Sequence, residues 1–333
     1  MLKEVIIKNY RSFKGIQRFS LSEDPVVPVT LITSAAGSGK TTLLDSIFWC
    51  LYGTHLDDCG TNNENLLNIE RQHEMKVGDT EEISVELLFV SDGKETRIFR
   101  RVGYKKLCDG RVQRCFSFDD AYVDPKFTGS YECPISPLLF ITDVHNLAKT
   151  NATRCLEKQI AKYLLAKYRF LDSEKITLIR ERLFNNIAIR ANIVFHELVG
   201  SDRCYCICWN EGMFVCNSSN QISAPIELST SSLVAFNIAL MYAARELLFY
   251  RNEDKSEFPI IIDDVFMLHL PSQFSIDRLS SVLNGHQILF ALHHRHILSE
   301  PFPNSCGKHY YLNRNDDCTK ATIENQKIGF DCG

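Results

Sequence analysis

The spacing of apolar residues changes along the chain, and each change of period predicts an element. Residues 3–8 and 17–22 read as short strands around the turn Tyr10-Arg11-Ser12-Phe13-Lys14-Gly15. Residues 26–33 (VVPVTLIT) are almost continuously apolar or β-branched, the pattern of a buried strand. A small-residue turn follows, and then Leu44, Ile47, Phe48 and Leu51 recur at helical spacing, with Gly53 placed as a C-cap. Residues 81–90, 95–102 and 114–118 are β-rich and partly alternating, with Asp92-Gly93 and Asp109-Gly110 as turns. Together they predict an antiparallel sheet. Residues 137–142 form another short apolar run.

The second half begins with helical patterns. Leu156, Ile160, Tyr163, Leu164 and Tyr168 mark a helix over residues 152–170, and Ile176, Ile179, Leu183 and Ile187 mark another over 173–198. The pair predicts a short helical hairpin, too short for a long coiled coil. Residues 204–217 read as two strands around Asn210-Glu211-Gly212, and 229–251 as a long helix. FPIIIDDVF is a buried strand ending in two acids, and HQILFALHH a buried strand ending in histidines. No internal repeat or low-complexity tract interrupts the chain.

Composition bounds this picture. At 333 residues and 45% apolar, the chain holds one large domain or two modest ones with a full core. A net charge of −4 excludes a polycation, so contact with nucleic acid requires a local basic patch or a partner. Arg97, Arg100, Arg101, Lys105, Lys106, Arg111 and Arg114 form such a candidate patch; the other reading is a sheet edge protected by charge. The 13 cysteines are scattered and odd in number, with no C-x-x-C spacing. Cys204, Cys206, Cys208 and Cys216 fall inside apolar strand patterns and are expected to be buried, reduced thiols. The first residues lack the apolar core of a signal peptide, and no apolar run reaches membrane-spanning length. The expected setting is cytoplasmic, away from any membrane.

Chemistry enters at the small-residue turn. The stretch Ser34-Ala35-Ala36-Gly37-Ser38-Gly39-Lys40-Thr41-Thr42, between a buried strand and a helix, is a phosphate-loop pattern. Gly37 and Gly39 allow successive backbone N–H groups to turn toward an anion. The helix starting near Lys40 aims its unpaired N–H groups and positive dipole end at the same point. Lys40 supplies a point charge for the β- and γ-phosphates of ATP, and Thr41 a hydroxyl for Mg²⁺. Ser34 stands where the usual loop opens on glycine, and a serine fits there if its φ is negative.

Such a loop requires an acid elsewhere. Asp263 and Asp264 close the apolar strand PIII, where ligands of open α/β sheets bind. Asp263 is the candidate Mg²⁺ partner, and Asp264 the candidate group to orient or deprotonate water. Two solvated acids at a strand end are the alternative. His293, ending QILFALH, is placed to hydrogen-bond a γ-phosphate or its attacking water; a solvated loop is the alternative.

The ordered set of these motifs resembles an ABC-type ATPase head of the SMC/Rad50/RecF class, and most resembles its Rad50-like and DndD-like branch. MLKEVIIKNYRSFKG is similar to that family's first strand and arginine-bearing turn, which implies that Arg11 contacts nucleotide. PIELSTSSLVAFNIALMYAARE resembles the signature motif and its helix, FPIIIDDVF the Walker B strand, and HQILFALHH the switch-histidine strand. The resemblance implies an α/β P-loop NTPase fold of ABC-ATPase type: a mixed central sheet, an antiparallel β-subdomain and a helical lobe. Its implied organisation is an N-terminal lobe at 1–151, a helical hairpin at 152–198 in place of the coiled coil, and a C-terminal lobe at 199–333. It implies a homodimer or heterodimer sandwiching two ATP molecules, with Ser229 donating to the nucleotide of the opposite head. It further implies a conformational switch in a DNA-processing complex, for repair or defence against foreign DNA, acting on a nuclease or effector subunit and on DNA. Departures point to a second reading, a nucleotide-binding scaffold with little turnover. Ser231 replaces the signature glycine, Asp264 replaces the usual glutamate, and MLHLPSQ carries no recognisable D-loop.

Overall fold

The computed structural model describes residues 1–35, 37–53, 65–91, 93–118, 140–141, 168, 170–200, 205–210, 212–217, 221–223, 228, 230–249, 259–263, 276–283, 286–293, 303–314 and 321–326. In chain order the first elements are β1 (Leu2–Lys8), β2 (Ile16–Ser20), β3 (Val29–Ser34), α1 (Lys40–Tyr52), α2 (Ile69–Glu74), β4 (Thr80–Ser91), β5 (Lys94–Lys106) and β6 (Val112–Phe118). After them come β7 (Phe140–Ile141), α3 (Ser173–Val199), β8 (Cys206–Trp209), β9 (Met213–Cys216), β10 (Ile222–Ser223), α4 (Thr230–Phe249) and β11 (Ile260–Ile262). The last are α5 (Ile276–Val282), β12 (Ile288–His293), β13 (Cys306–Arg314) and β14 (Ala321–Gln326). The chain divides into two compact units. One comprises Met1–Thr128, Gln287–Phe302 and Cys306–Gly333; the other comprises Gly129–His286 and Pro303–Ser305.

In the first unit, β2-β1-β4-β5-β6 form a five-stranded antiparallel sheet. Alternation sends Leu2, Val5, Ile7, Ile83, Val85, Leu87, Phe89, Ile98 and Val102 into the core. A mixed sheet lies in the same unit. There β3 runs parallel to both β12 and β13, and β14 pairs antiparallel with β13. Every residue of β3 is buried, as a strand between two parallel neighbours requires, its Thr and Ser hydroxyls included. The strand starts later than its apolar pattern: Val26 is 81% exposed, and β3 begins only after Pro28, whose ring supplies no ladder N–H. Helix α1 packs on β4 and β5 and also meets β3. Accordingly Leu43, Trp49 and Cys50 are buried along with Leu44, Ile47 and Phe48, a wider face than the predicted stripe.

The predicted basic patch loses a member to this helix. Arg100 is buried, its Nε donates to the carbonyl of Cys50 at 3.2 Å, and its guanidinium sits 5.8 Å from the Trp49 ring centroid. A cation at a helix C-terminus is stabilised by the exposed carbonyls, which explains why Arg100 faces inward. Arg97 and Arg111 instead pair with Glu86 and Asp109 at 2.7 Å each, on the surface.

In the second unit, α3 is capped by Asp172, whose carboxylate accepts from Lys175 N–H at 2.8 Å. Its buried face, including Phe184, Ile187, Ala191, Phe195 and Leu198, packs on α4 and β8. Arg190 of α3 forks onto Glu246 of α4, with Nη2 2.9 Å from Oε1. Strands β10-β9-β8 form a three-stranded antiparallel sheet. The Asn192 side chain exchanges two 2.5 Å hydrogen bonds with the backbone of Ile207, so an amide on α3 stands in for a missing strand at the β8 edge. Phe184 stacks on Trp209 at 4.3 Å between centroids. Here the cysteine expectation is corrected for three of the four: Ile207, Met213 and Val215 take the buried face, leaving Cys206 exposed and Cys208 and Cys216 partly exposed, while Cys204 lies outside the described residues. In an alternating strand only one set faces the core, and the larger aliphatic side chains gain more by burial. In the same unit β11 runs parallel to β7, and buried Arg245 of α4 donates to the Pro259 carbonyl just ahead of β11, at 3.4 Å. The predicted helix over 152–170 lies outside the described residues apart from Tyr168 and Phe170.

One buried amide ties the two sheets of the first unit together. Gln287, at the foot of β12, accepts from Leu2 N–H at 3.1 Å and donates to the Leu2 and Ser22 carbonyls at 2.8 Å each. Gln287→Ala strips these backbone groups of their partner without admitting water freely. We expect a loss of about 3 kcal/mol, measured by urea unfolding; a loss under about 0.5 kcal/mol would show that the amide is dispensable.

Candidate functional site

The turn between β3 and α1 is built from special backbone. Gly37 and Gly39 have φ of 73° and 95°, the left-handed region in which a side chain is strained. Gly39 caps α1 with no side-chain acceptor, and no acid lies in the first helical turn. The N-terminal N–H groups of α1 and its positive dipole end therefore face the turn without a counter-charge from that helix turn. Lys40 is buried at this point. Its ammonium donates to Ser34 Oγ at 3.0 Å and to the Ala35 carbonyl at 3.3 Å. The same carbonyl accepts from Ser38 Oγ at 2.8 Å and Ser34 Oγ at 3.0 Å. Ser34 is not among the positive-φ residues and continues β3 as an ordinary strand residue, so the expected negative φ holds and its hydroxyl anchors the lysine. Thr41 is exposed beside the turn, Thr42 is partly exposed, and Ala36 lies outside the described residues.

One arginine meets the turn itself, and a second meets the helix that follows it. Arg314, the last residue of β13, donates through Nη1 to the Gly37 carbonyl. A Cβ added at Gly37 would lie 3.3 Å from that nitrogen, so the glycine also leaves room for the guanidinium. Sequence reasoning missed Arg314, because KHYYLNR mixes charged, polar and aromatic residues and belongs to no motif. The alternation that buries Tyr310 and Leu312 was the available signal.

Arg11 was read from the sequence. It adopts φ 46°, its N–H donates to Leu66 O at 2.7 Å, and its guanidinium pairs with Asp45 at 3.1 Å. Asp45 is a buried carboxylate on α1 that also accepts from Tyr10 Oη at 2.8 Å. Burial, followed by the Asp45 charge, pushes the Tyr10 phenol far above its usual range, so it remains a donor. Arg11 is thus braced to the helix that carries Lys40.

Within the first unit, two strand ends flank the turn. His293 closes β12 in register with Ser34, and Leu312 pairs with Ser34 from the other side. In the second unit Asp263 follows β11 directly and is buried. Asp264 and Ser229 lie outside the described residues. Among the described residues no helix is long and apolar enough to cross a membrane.

A glycine turn, a buried ammonium and a helix N-terminus at the carboxyl end of parallel strands form an anion cradle, and comparison with known proteins identifies its kind. The AAA domain family model AAA_23 matches residues 4–186, and the chain belongs to that family. Among solved structures, an SMC head bound to the C-winged helix domain of ScpA is 14% identical, covers 98% of each chain and gives a TM-score of 0.62. The Smc head domain with an extended coiled coil, bound to the C-terminal domain of ScpA and derived from Pyrococcus furiosus, is 13% identical. It covers 98% of this chain and 96% of its own, with a TM-score of 0.57. No curated protein matches the sequence. The fold is that of an ABC-type ATPase head of the SMC/Rad50 class: a P-loop α/β architecture with antiparallel and mixed sheets.

The Asp45 brace is directly testable. Asp45→Ala leaves the Tyr10 hydroxyl and a half-buried guanidinium without their shared acceptor, and we expect a loss of about 2–3 kcal/mol. Tyr10→Phe removes one donor only and should cost about 1 kcal/mol. Equal losses in urea unfolding would contradict a carboxylate shared between the two.

Proposed function

We propose that this chain binds ATP with Mg²⁺ and hydrolyses it as the conformational switch subunit of a DNA-processing complex, in repair or foreign-DNA defence, controlling a partner nuclease or effector. The observation that carries the reading is the Lys40 ammonium, buried at the mouth of a turn whose backbone and helix dipole add positive potential. A triphosphate is the anion whose charge and length match several such donors at once. In this reading Ser34, Ala35, Ala36, Gly37, Ser38, Gly39, Lys40, Thr41 and Thr42 hold the phosphates, and Arg11 reaches the nucleotide from its Asp45 brace. The Thr41 hydroxyl and the Asp263 carboxylate would hold Mg²⁺, which supplies charge neutralisation at the β- and γ-phosphates. Asp264 orients or deprotonates the attacking water, and His293 hydrogen-bonds the γ-phosphate or that water.

The rest of the proposal rests on the resemblance to ATPase heads of this class. Two heads, identical or not, sandwich two nucleotides, and Ser229 of each donates to the nucleotide of the other. Closing and reopening of that pair is the switch. We assign the chain to the Rad50-like and DndD-like branch, in the cytoplasm, with lobes at 1–151 and 199–333 and a short hairpin at 152–198. The nuclease or effector and DNA are partners of the assembled complex.

A specific observation favours the second reading, a scaffold with little turnover. Thr230 to Ser232 already lie in α4, and Ser231 brings a side chain where the family's signature has glycine and its backbone approaches closely. Turnover separates the two readings. Lys40→Ala should weaken ATP binding about 100-fold, measured calorimetrically, with an unchanged circular dichroism spectrum. Asp264→Asn should retain ATP binding and lose at least about 90% of steady-state hydrolysis. Wild-type binding with no hydrolysis, alone or with a co-purified partner, would favour the scaffold. Lys40→Ala that abolishes binding yet leaves every cellular phenotype intact would defeat the switch reading.

A further inference from the structure

The cysteines displaced from the core converge on one face of the β8–β9 hairpin. Cys206 pairs in register with Cys216 across the two strands, and Cys208 sits two residues further along the same face of β8. The Cys208 and Cys216 sulfurs are 2.7 Å apart, and both residues are partly exposed. Cys206 is exposed, with its sulfur 3.9 Å from His196 Nε2 on α3. Among the described residues no group of three or more His, Cys, Asp or Glu side chains is arranged to hold a metal ion. The two sulfurs in contact make a close dithiol.

We propose that Cys208 and Cys216 form a reversible oxidation site, closed to an intrachain disulfide by exchange with a low-molecular-weight disulfide. The hairpin is already fixed from both sides: Asn192 holds the β8 edge through Ile207, and Trp209 stacks on Phe184. Little ordering remains to be done, and the sulfurs must approach by only roughly 0.7 Å to reach bonding distance. Paired strands twist, which brings one diagonal of neighbouring side chains closer than the other. The diagonal Cys208–Cys216 pair is the one already in contact.

The exchange runs in two steps. Burial, and then the hydrogen bond and charge of Cys216, push the Cys208 thiol up to about 12. Cys216 opens one of the two equivalent routes. Its thiolate attacks one sulfur of the external disulfide, forming a mixed disulfide and expelling one thiolate, which takes up a proton. With Cys216 capped, its charge and hydrogen bond no longer hold the proton on Cys208. Cys208 then attacks the Cys216 sulfur as its thiolate, forming the intrachain bond and expelling the second small thiol, which takes the Cys208 proton. Two protein thiols are oxidised, and one external disulfide is reduced to two thiols.

The test uses the full chain in a glutathione redox buffer, with free thiols alkylated after acid quenching and the product read by mass spectrometry. No Lys or Arg lies between Arg203 and Arg245, so trypsin leaves the cluster in one peptide. Chymotrypsin, cutting after Trp209 and Phe214, separates Cys208 from Cys216. The expected result is the loss of two hydrogens per chain and one linked peptide pair, reversed by dithiothreitol. Cys206→Ser should retain the link, while Cys208→Ser and Cys216→Ser should each lose it. Unchanged thiols, glutathione adducts without ring closure, or a link that survives Cys208→Ser and uses Cys206 or Cys204 would overturn the proposal. The wild-type outcome stands even if a variant misfolds.

Discussion

A buried ammonium is the constraint around which the first unit is organised. Lys40 is almost fully out of water, and it sits where α1 directs its positive dipole end. Such a charge is tolerated only when nearby oxygens replace its hydration. The Ala35 carbonyl and Ser34 hydroxyl supply them, and both are presented by the end of a strand buried on both faces. Both of these acceptors are neutral oxygens, and the N-terminal end of α1 adds its positive dipole end at the same place. Ser34 shows how a departure from the usual glycine is absorbed. Its backbone stays extended, and its hydroxyl becomes one of the groups on which the lysine rests.

The surroundings convert that local arrangement into a rigid one. Arg11 and Tyr10 converge on Asp45, which rides on the helix that Lys40 begins, so the first strand's turn and the phosphate-loop helix share a single carboxylate. Gln287 fastens β1 to the base of β12, and β12 in turn delivers His293 to the register position of Ser34. Arg314 reaches the turn from the opposite neighbour of β3. Each of these ties is a polar group satisfied inside the fold. Each therefore fixes geometry more than it adds net stability.

The elements legible in the sequence were those with one dominant signal. The apolar run of β3, the glycine turn, the helical spacing of α1 and the Asp-Gly hairpins each had a single good explanation, and the fold class followed from their order. What escaped notice was decided by tertiary competition. Arg100 carries the same charge as its exposed neighbours, and only the nearby C-terminus of α1 makes burial favourable. The hairpin cysteines alternate with Ile207, Met213 and Val215, and pattern alone does not say which set faces the core; packing against α3 does. Strands β13 and β14, with their charged and polar residues, give a weak period-two signal, so Arg314 could not be placed beside the turn. Val26 reads as part of a buried strand until Pro28 is counted as a break in the ladder.

The central claim is that the Lys40 turn is an anion cradle fitted to a nucleotide's phosphates. Amide hydrogen exchange of the wild-type chain with and without ATP and Mg²⁺ tests it most directly. The account predicts slowed exchange concentrated at residues 37–42, ahead of Leu43, whose N–H already donates to the Gly39 carbonyl within α1. Unchanged exchange across that segment at saturating nucleotide, or protection confined to other parts of the chain, would contradict it.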